Sequence, residues 1–255
     1  TQFQGTAIIN LDTREVTYLD EEPFSVENEK IFDISAYGDY FYYCRKEGKK
    51  TVLHRYNIKD GTDETHKLLV GFQGKYVVMD NNTVVYTKSD NDSLCVYHRE
   101  TGENEEKVFL KRHQTIYYKN GSSQEKDEAY NAVEMKTDGE YLYVREDYKR
   151  RSRFNESGEV IDTWDEAYVH VFDRELKEVA TVNMPEVIAF EKGGGTENGA
   201  THYMSNKLYL YYEDDAVYCA VPNENDRREE TIYKSTREAF LSGKPEFELG
   251  CKIRW

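Results

Sequence analysis

A short unit, a tight turn followed by an apolar strand, recurs along the chain and constrains the fold more than any other feature. Its clearest copy lies at residues 137–144, where Thr-Asp-Gly-Glu precedes Tyr-Leu-Tyr-Val. Further copies lie at residues 37–43, 80–86 and 204–212. A chain that repeats one turn-and-strand unit in this way usually stacks copies of a single supersecondary element. The sequence therefore predicts a repeat architecture made of β-strands.

An outer hairpin, two β-rich runs joined by a short polar turn, follows each copy of this unit. The outer hairpins lie at residues 52–70, 94–110, 168–182 and 216–233, and a fifth hairpin opens the chain at residues 6–19. Short polar turns between such runs are typical of β-hairpins. A further apolar run precedes each turn-and-strand unit, so we predict four consecutive antiparallel strands per repeat.

The second strand of a repeat is apolar on both faces, as in residues 40–43, which is typical of a sheet covered on both sides. Four-stranded sheets packed face to face around an axis form a β-propeller. We therefore predict an all-β fold, a single-domain β-propeller over residues 1–255 with about five four-stranded blades. Six blades would need one more in residues 111–131. We expect the strand at residues 247–253 to close the ring by completing the N-terminal blade, because closure removes exposed sheet edges.

Two local features accompany this plan. A short helix is predicted near the C-terminus, with Ser235 as N-cap, Glu238 as its capping-box partner and Gly243 past the end. The four cysteines are widely spaced and form no Cys-x-x-Cys motif, which argues against a zinc site and favours small strand hydrophobes. Cys219 and Cys251 form the one disulfide pairing that we consider.

Composition excludes some classes of partner. The net charge of −15 argues against nucleic acid, since a phosphate backbone requires a basic surface. No stretch approaches the roughly 18 apolar residues of a membrane span.

Tyrosine occurs 22 times and is expected to be the main packing residue, because its apolar ring ends in a hydroxyl group that tolerates wet layer edges. We expect a monomer that uses no cofactor and no metal ion.

The repeats at residues 138–144 and 168–174 resemble those of bacterial secreted or lipoprotein β-propellers of the TolB/YWTD-like kind. The Tyr-Trp-Thr-Asp tetrapeptide is absent, and Trp164-Asp165 is the one Trp-Asp pair. The resemblance implies a protein outside the cytoplasm, in the periplasm or at the cell surface, where a lipid anchor is one form of attachment. Because the chain opens on Thr1 rather than Met, we expect that an export segment has been removed.

Two long stretches without clear strand patterns, residues 111–131 and 146–166, are candidates for a binding face. The first is a connection between blades and the second joins the second and third strands of one blade, so both are expected side by side on one rim. Long loops in a compact domain are often functional. Their aromatic and basic residues are predicted to contact a ligand: Tyr117, Tyr118, Tyr148, Arg150, Arg151, Arg153 and Trp164. The alternative is a solvated hairpin tip paired with local carboxylates.

Three carboxylates on or beside first strands, Asp33, Asp80 and Glu134, carry the enzyme hypothesis. Glycoside hydrolysis needs two carboxyl groups at a defined separation, one of them held protonated. No complete catalytic constellation is visible in the sequence. We therefore predict a non-catalytic binding module for a carbohydrate or protein ligand, with a glycoside-processing enzyme as the alternative.

Overall fold

The fold is an all-β propeller type built from repeated four-stranded antiparallel sheets. A computed structural model describes residues 7–18, 31–68, 72–88, 92–187, 209–213, 215–222 and 228–254. Within these ranges nearly all regular structure is β-strand, and no helix is long and apolar enough to cross a membrane.

The chain divides into two compact units. Residues 1–89 with 96–105 belong to the first unit, and residues 90–95 with 106–255 belong to the second. The sequence expectation that residues 1–255 form one domain stays a prediction.

The first part of the chain holds a hairpin and two four-stranded sheets. The hairpin consists of β1 (Ala7–Ile9) and β2 (Val16–Tyr18). The first sheet runs in chain order through β3 (Ile31–Tyr37), β4 (Tyr40–Glu47), β5 (Lys50–Asn57) and β6 (Asp63–His66). The second sheet likewise contains β7 (Phe72–Val78), β8 (Thr83–Lys88), β9 (Ser93–His98) and β10 (Glu103–Phe109).

The third sheet carries two additional hairpins. One precedes it and consists of β11 (Lys111–Tyr117) and β12 (Ser123–Ala129). The chain then forms β13 (Ala132–Thr137), β14 (Leu142–Glu146), β15 (Lys149–Phe154), β16 (Val160–Glu166), β17 (Tyr168–Phe172) and β18 (Glu178–Asn183). The sheet itself has the order β13-β14-β17-β18, so the β15–β16 hairpin is inserted between its second and third strands.

The fourth sheet follows a short helix, α1 (Met184–Val187). Its strands are β19 (Tyr209–Glu213), β20 (Ala216–Pro222), β21 (Glu229–Thr236) and β22 (Glu248–Arg254), with helix α2 (Arg237–Leu241) between the last two. Strand β22 pairs with β21. Closure of the ring through the N-terminal strands stays a prediction.

These sheets confirm the predicted fold class. Four complete four-stranded sheets and the N-terminal hairpin occur in the described ranges, as the five outer hairpins of the sequence indicated. The six-blade alternative, which required a further blade within residues 111–131, is wrong, because this stretch forms only the two-stranded β11–β12 hairpin. The fourth copy of the turn-and-strand unit has its turn outside the described residues.

Buried tyrosines on the second strands hold the sheets together, as their abundance predicted. Tyr43, Tyr86 and Tyr143 are almost fully buried on β4, β8 and β14. Each hydroxyl group donates a hydrogen bond: Tyr43 to Asp63 at 2.8 Å, Tyr86 to Asn104 at 2.9 Å and Tyr143 to Asp138 at 2.8 Å. The ring contributes apolar burial while the hydroxyl group reaches a polar side chain at the layer edge.

One local prediction needs correction, and one open alternative is excluded. The N-cap of α2 is Thr236, whose hydroxyl oxygen accepts from the Ala239 N–H at 3.1 Å, while Ser235 is still part of β21. The cysteines Cys219 and Cys251 are both free. They lie on β20 and β22, two strand spacings of about 4.8 Å apart, whereas a disulfide needs Cα atoms within about 7 Å.

Candidate binding site

The two stretches predicted as irregular loops are regular hairpins that touch at their tips. Gly121, at φ 80° in the β11–β12 turn, lies so close to the other tip that a Cβ atom there would meet the Asn155 carbonyl carbon at 2.9 Å. A Cβ atom on Gly158, in the β15–β16 turn, would meet the Lys119 carbonyl oxygen at 3.2 Å. The prediction that the two stretches lie side by side is therefore correct, but their irregularity is not.

A chain of alternating charges joins the two hairpins to the third sheet, and we call it the ionic ladder. Its members, in order, are Lys149, Glu128, Arg151, Glu166, Arg112 and Glu146. Successive N–O distances are 3.7, 2.6, 3.1, 2.8 and 3.3 Å. Because Arg151 and Arg112 each lie between two carboxylates, the ladder attaches β11, β12, β15 and β16 to the end of β14.

The ladder runs from the surface into the interior. The side chain of Lys149 is 29% exposed, that of Arg112 is 12% exposed and that of Glu146 is only 1% exposed. A buried ion pair is strongly destabilised when one partner is removed, because an uncompensated charge remains in a medium of low dielectric constant. The inner end of the ladder is therefore the part on which the position of the hairpins most depends.

The two buried carboxyl groups of the ladder titrate in opposite directions. Burial raises the pKa of Glu146 above its ordinary value, and the Arg112 guanidinium offsets this only in part. Burial acts on Glu166 as well, but hydrogen bonds from Trp164 and Arg151 and the charge of Arg112 outweigh it. The pKa of Glu166 consequently lies below its ordinary value.

The strand registers explain why these side chains meet. Arg112 pairs with Glu128 across the β11–β12 hairpin, and Arg151 pairs with Trp164 across β15–β16. Directly opposed residues in an antiparallel pair share one face of the sheet. One face of each hairpin therefore presents its charged and aromatic side chains to the other hairpin.

Aromatic side chains lie beyond the ladder, toward the tips. The rings of Tyr117 and Trp164 meet edge to face with centroids 5.7 Å apart, and the Arg153 guanidinium lies 5.6 Å from the Tyr117 centroid. Tyr118, 39% exposed, follows in the turn and donates to Gln124 at 3.1 Å. We call Tyr117, Tyr118, Arg153 and Trp164 the aromatic patch.

The remaining predicted ligand residues do not belong to this patch. Arg151 is engaged by Glu128 and Glu166 within the ladder. Tyr148 is buried, and its hydroxyl group donates to Asp165. Arg150 is exposed and pairs with Asp165 in the strand register, which places it on the opposite face of β15 from Arg153.

Two of the three carboxylates of the enzyme hypothesis, Asp80 and Glu134, have local structural roles. Asp33 lies exposed on β3 at φ 50°. Asp80 caps the β7–β8 turn, where its carboxylate accepts from the backbone N–H groups of Asn82 and Thr83, both at 2.8 Å. Glu134 accepts from the Arg145 Nε–H at 3.0 Å. In the described part of the chain, no three His, Cys, Asp or Glu side chains are grouped as a metal ion would require.

A histidine–carboxylate pair lies on the third sheet beside the inner end of the ladder. His170 Nδ1 is 3.0 Å from Glu178 Oε1, and the His170 ring stacks on Tyr130 with centroids 4.2 Å apart and an interplanar angle of 9°. Burial raises the pKa of Glu178, but the hydrogen bonds from His170 and Thr181 outweigh it and leave the pKa below its ordinary value.

Sequence reasoning missed the acidic half of this site: Glu128, Glu146, Glu166 and Glu178. One available signal was the Asn120-Gly121 dipeptide, which is typical of a two-residue hairpin turn and predicts that the flanking runs pair. The observed register places Tyr117 opposite Ser123, one residue more in the turn than this dipeptide predicts, and this register pairs Arg112 with Glu128. The contact between the two hairpins has no comparable local signal.

Comparisons with known proteins concern the fold alone. No protein-family model and no curated protein matches the chain. An acylaminoacyl peptidase from Pyrococcus horikoshii aligns with a TM-score of 0.48 and 12% identity over 87% of this chain, and the chain covers 32% of that protein. A putative 6-phosphogluconolactonase from Bacteroides uniformis aligns at 0.40 with 11% identity, covering 98% of this chain and 78% of the other. Hsv2 from Kluyveromyces lactis aligns at 0.36 with 10% identity, covering 97% and 92%.

Proposed function

We propose that this chain is a non-catalytic binding module whose ligand contacts the aromatic patch. The observation that carries the proposal is the construction of the patch on two additional hairpins. The other three sheets consist of four strands joined in order, whereas the third sheet is extended by β11–β12 and β15–β16. Extensions of this kind are where binding residues are commonly placed on a rigid scaffold.

The ionic ladder supports this role because it fixes the patch before any ligand arrives. A preorganised surface loses little conformational entropy on binding, so more of the contact energy appears as affinity. Aromatic and arginine side chains are also the types most enriched at the energetically important centres of interfaces. The patch combines three aromatic rings with one guanidinium group that has no carboxylate partner in the described residues.

A carbohydrate or a protein would suit this chemistry. An aromatic face offers apolar contact to the C–H groups of a sugar ring, and Arg153 offers several N–H donors to hydroxyl or carboxylate groups. Exposed Val160, at 55%, lies on the same hairpin and would add apolar area to a protein interface.

Two single variants on opposite faces of β15 provide the test. The purified chain would be screened against a glycan array and, separately, against an immobilised extract of candidate proteins. We expect Arg153→Ala to abolish the strongest signal and Arg150→Ala to preserve it, because the two side chains occupy opposite faces of one strand. The reverse result, or equal binding by both variants, would rule out the aromatic patch as the binding surface.

The glycoside-processing alternative receives less support. A glycosidase needs two carboxyl groups that face one substrate pocket, whereas Asp80 is a turn cap and Glu134 is paired with Arg145. A panel of chromogenic glycosides provides the direct assay. Turnover that disappears in Glu134→Gln would favour the enzyme.

We further propose that the module acts outside the cytoplasm, in the periplasm or at the cell surface, as in the TolB/YWTD-like propellers that its repeats resemble. The support is the sequence resemblance of the repeats alone. Fractionation of the source cells, with an antibody against the chain, would test it. Recovery in the cytoplasmic fraction only would contradict this placement.

A further inference from the structure

Buried polar atoms without hydrogen-bond partners are concentrated at the inner end of the ionic ladder. Within the described part of the protein, neither carboxylate oxygen of Glu146 makes a hydrogen bond, and the same holds for Arg112 Nε and His170 Nε2. Both Glu146 and His170 are only 1% exposed. Leaving a buried donor or acceptor unpaired costs about 1–3 kcal/mol, and more for a charged group, so such a concentration needs a physical explanation.

The three side chains share one face of the third sheet. Val144 pairs with His170 in the β14–β17 register, and side chains two residues apart on a strand point the same way. Glu146 therefore lies on the face of His170 as its diagonal neighbour across the strand pair, a separation of about 7–8 Å between Cα atoms. Long side chains can meet across such a diagonal, but neither Glu146 oxygen makes a hydrogen bond to His170 Nε2, so one small bridging molecule would join the two groups.

Arg112 reaches the same face from the β11 strand. Its guanidinium lies 4.2 Å from the ring centroid of Tyr168, which shares the face with His170, and its Nη2 atom lies 3.3 Å from Glu146. The ring of Tyr130 stacks on that of His170. Aromatic rings therefore lie against both Arg112 and His170.

The pairing with Glu178 determines what His170 offers. A carboxylate can only accept, so neutral His170 carries its proton on Nδ1, which donates to Glu178 Oε1. Nε2 is then an acceptor. The inner end of the ladder consequently presents two kinds of acceptor, Glu146 oxygen and His170 Nε2, together with one donor, the Arg112 Nε–H.

We propose that this place is a binding site for an internal water molecule that joins the ionic ladder to the histidine pair. The water donates one hydrogen to a Glu146 oxygen and the other to His170 Nε2, and it accepts from the Arg112 Nε–H. Three hydrogen bonds are the usual number for a buried water molecule. A buried water of this kind is part of the structure, since it satisfies groups that no neighbouring side chain reaches.

The chemistry favours water over a metal ion. A cation would be repelled by Arg112, and the described residues contain no group of three His, Cys, Asp or Glu side chains that could coordinate one. An anion would be repelled by Glu146. A neutral molecule that both donates and accepts is the class that fits all three groups.

Crystallography and nitrogen NMR of the whole chain test the proposal independently. A crystal structure that resolves single waters is expected to contain one within hydrogen-bond distance of Glu146, Arg112 Nε and His170 Nε2. The ¹⁵N shifts of His170 are expected to report a neutral ring protonated on Nδ1. Absence of the water, direct contact between Glu146 and His170, or a proton on Nε2 would each overturn the proposal.

Two variants at one position sharpen the test. Glu146→Gln retains a hydrogen-bond acceptor and is expected to retain the water. Glu146→Leu removes the acceptor, so the electron density of the water is expected to be lost. Retention of the same density in Glu146→Leu would contradict the proposed contacts. If Glu146→Leu does not fold, the wild-type density and the His170 tautomer still decide the question.

Discussion

Two histidines occupy equivalent places in the first and third sheets, yet their surroundings differ. His54 on β5 and His170 on β17 each contact a carboxylate through Nδ1 at 3.0 Å, Asp63 and Glu178 respectively. Each ring also stacks on a tyrosine, Tyr43 or Tyr130. Nε2 distinguishes them. Both Nε2 atoms are buried without a hydrogen bond, but that of His54 lies 3.3 Å from Glu47, whose side chain is 48% exposed, whereas no carboxylate in the described residues forms an ion pair with that of His170.

The difference follows from the connection between the second and third strands. In the first sheet β4 and β5 are joined by a tight turn at Gly48, so the carboxylate that meets His54 remains in water. In the third sheet the same connection is the β15–β16 hairpin, whose ladder side chains bury the corresponding polar groups. One insertion thereby converts a solvated sheet end into a buried polar site in which each charge must be matched internally.

The largest effect is expected from removing the inner cation of the ladder. Arg112→Met leaves Glu146 and Glu166 buried without their shared partner, and we expect a loss of about 3–5 kcal/mol in the free energy of unfolding. Arg55→Met in the first sheet leaves Glu64, which is 50% exposed, and should cost only about 1–3 kcal/mol. Denaturant titration of both variants measures the difference.

A double variant provides the control for this comparison. Arg112→Met combined with Glu146→Leu removes the unpaired carboxylate together with the cation, so part of the lost stability should return. Equal losses in Arg112→Met and Arg55→Met would show that the hairpins do not make the third sheet different.

Opposite pH dependences are expected for the two buried ladder carboxyl groups. The folded-state pKa of Glu146 is raised, so its ionised form destabilises the fold, and this penalty grows as pH rises through its unfolded and then its folded pKa. Glu146→Gln removes the penalty, so its stability relative to wild type should improve as pH rises. The pKa of Glu166 is lowered, so Glu166 stabilises the fold above its unfolded pKa and loses this contribution as pH falls through the folded one.

Glu166→Gln should therefore be most destabilising near neutral pH and approach wild type in acid. Thermal unfolding of wild type and both variants between pH 3 and pH 8, a range of about five units around the ordinary carboxyl pKa, measures the two slopes. Slopes of the same sign would contradict the assignment of opposite shifts. In the first sheet, Asp63 serves as the reference for a carboxyl group with a lowered pKa. Its pKa is lowered because hydrogen bonds from His54 and Tyr43 outweigh the effect of burial.

The sequence was sufficient for the sheets and insufficient for the site, for a physical reason. Strand patterns and polar turns are local, so the turn-and-strand units at residues 37–43, 80–86 and 137–144 could be recognised one by one. The ionic ladder depends on contacts such as Arg112 with Glu166, which are 54 positions apart. No local pattern encodes which of many surface-type charges will be buried together.

The predicted ligand residues show the same difference between what residue type and what strand pairing determine. Tyr117, Arg153 and Trp164 were recognised by type and do come together. Arg150 and Arg151 were recognised by type as well, but adjacent strand residues point to opposite faces, so they could not both belong to one surface. The sequence interpretation lacks the strand assignment that separates them, because it treats residues 146–166 as a loop.

The smallest difference is expected between two turn glycines in the compared connections. Gly48 and Gly158 have φ values of 63° and 81°, so alanine at either position incurs the left-handed backbone penalty of about 1–2 kcal/mol. Gly48 has open space around a Cβ atom, whereas a Cβ atom on Gly158 would lie 3.2 Å from the Lys119 carbonyl oxygen on the facing hairpin tip. Gly158→Ala should therefore lose up to about 1 kcal/mol more than Gly48→Ala, because the second tip must move. Hydrogen exchange separates this contact from the backbone penalty: amides of β11–β12 should exchange faster in Gly158→Ala, although the substitution lies on the other hairpin, and unchanged exchange there would mean that the tips do not support each other.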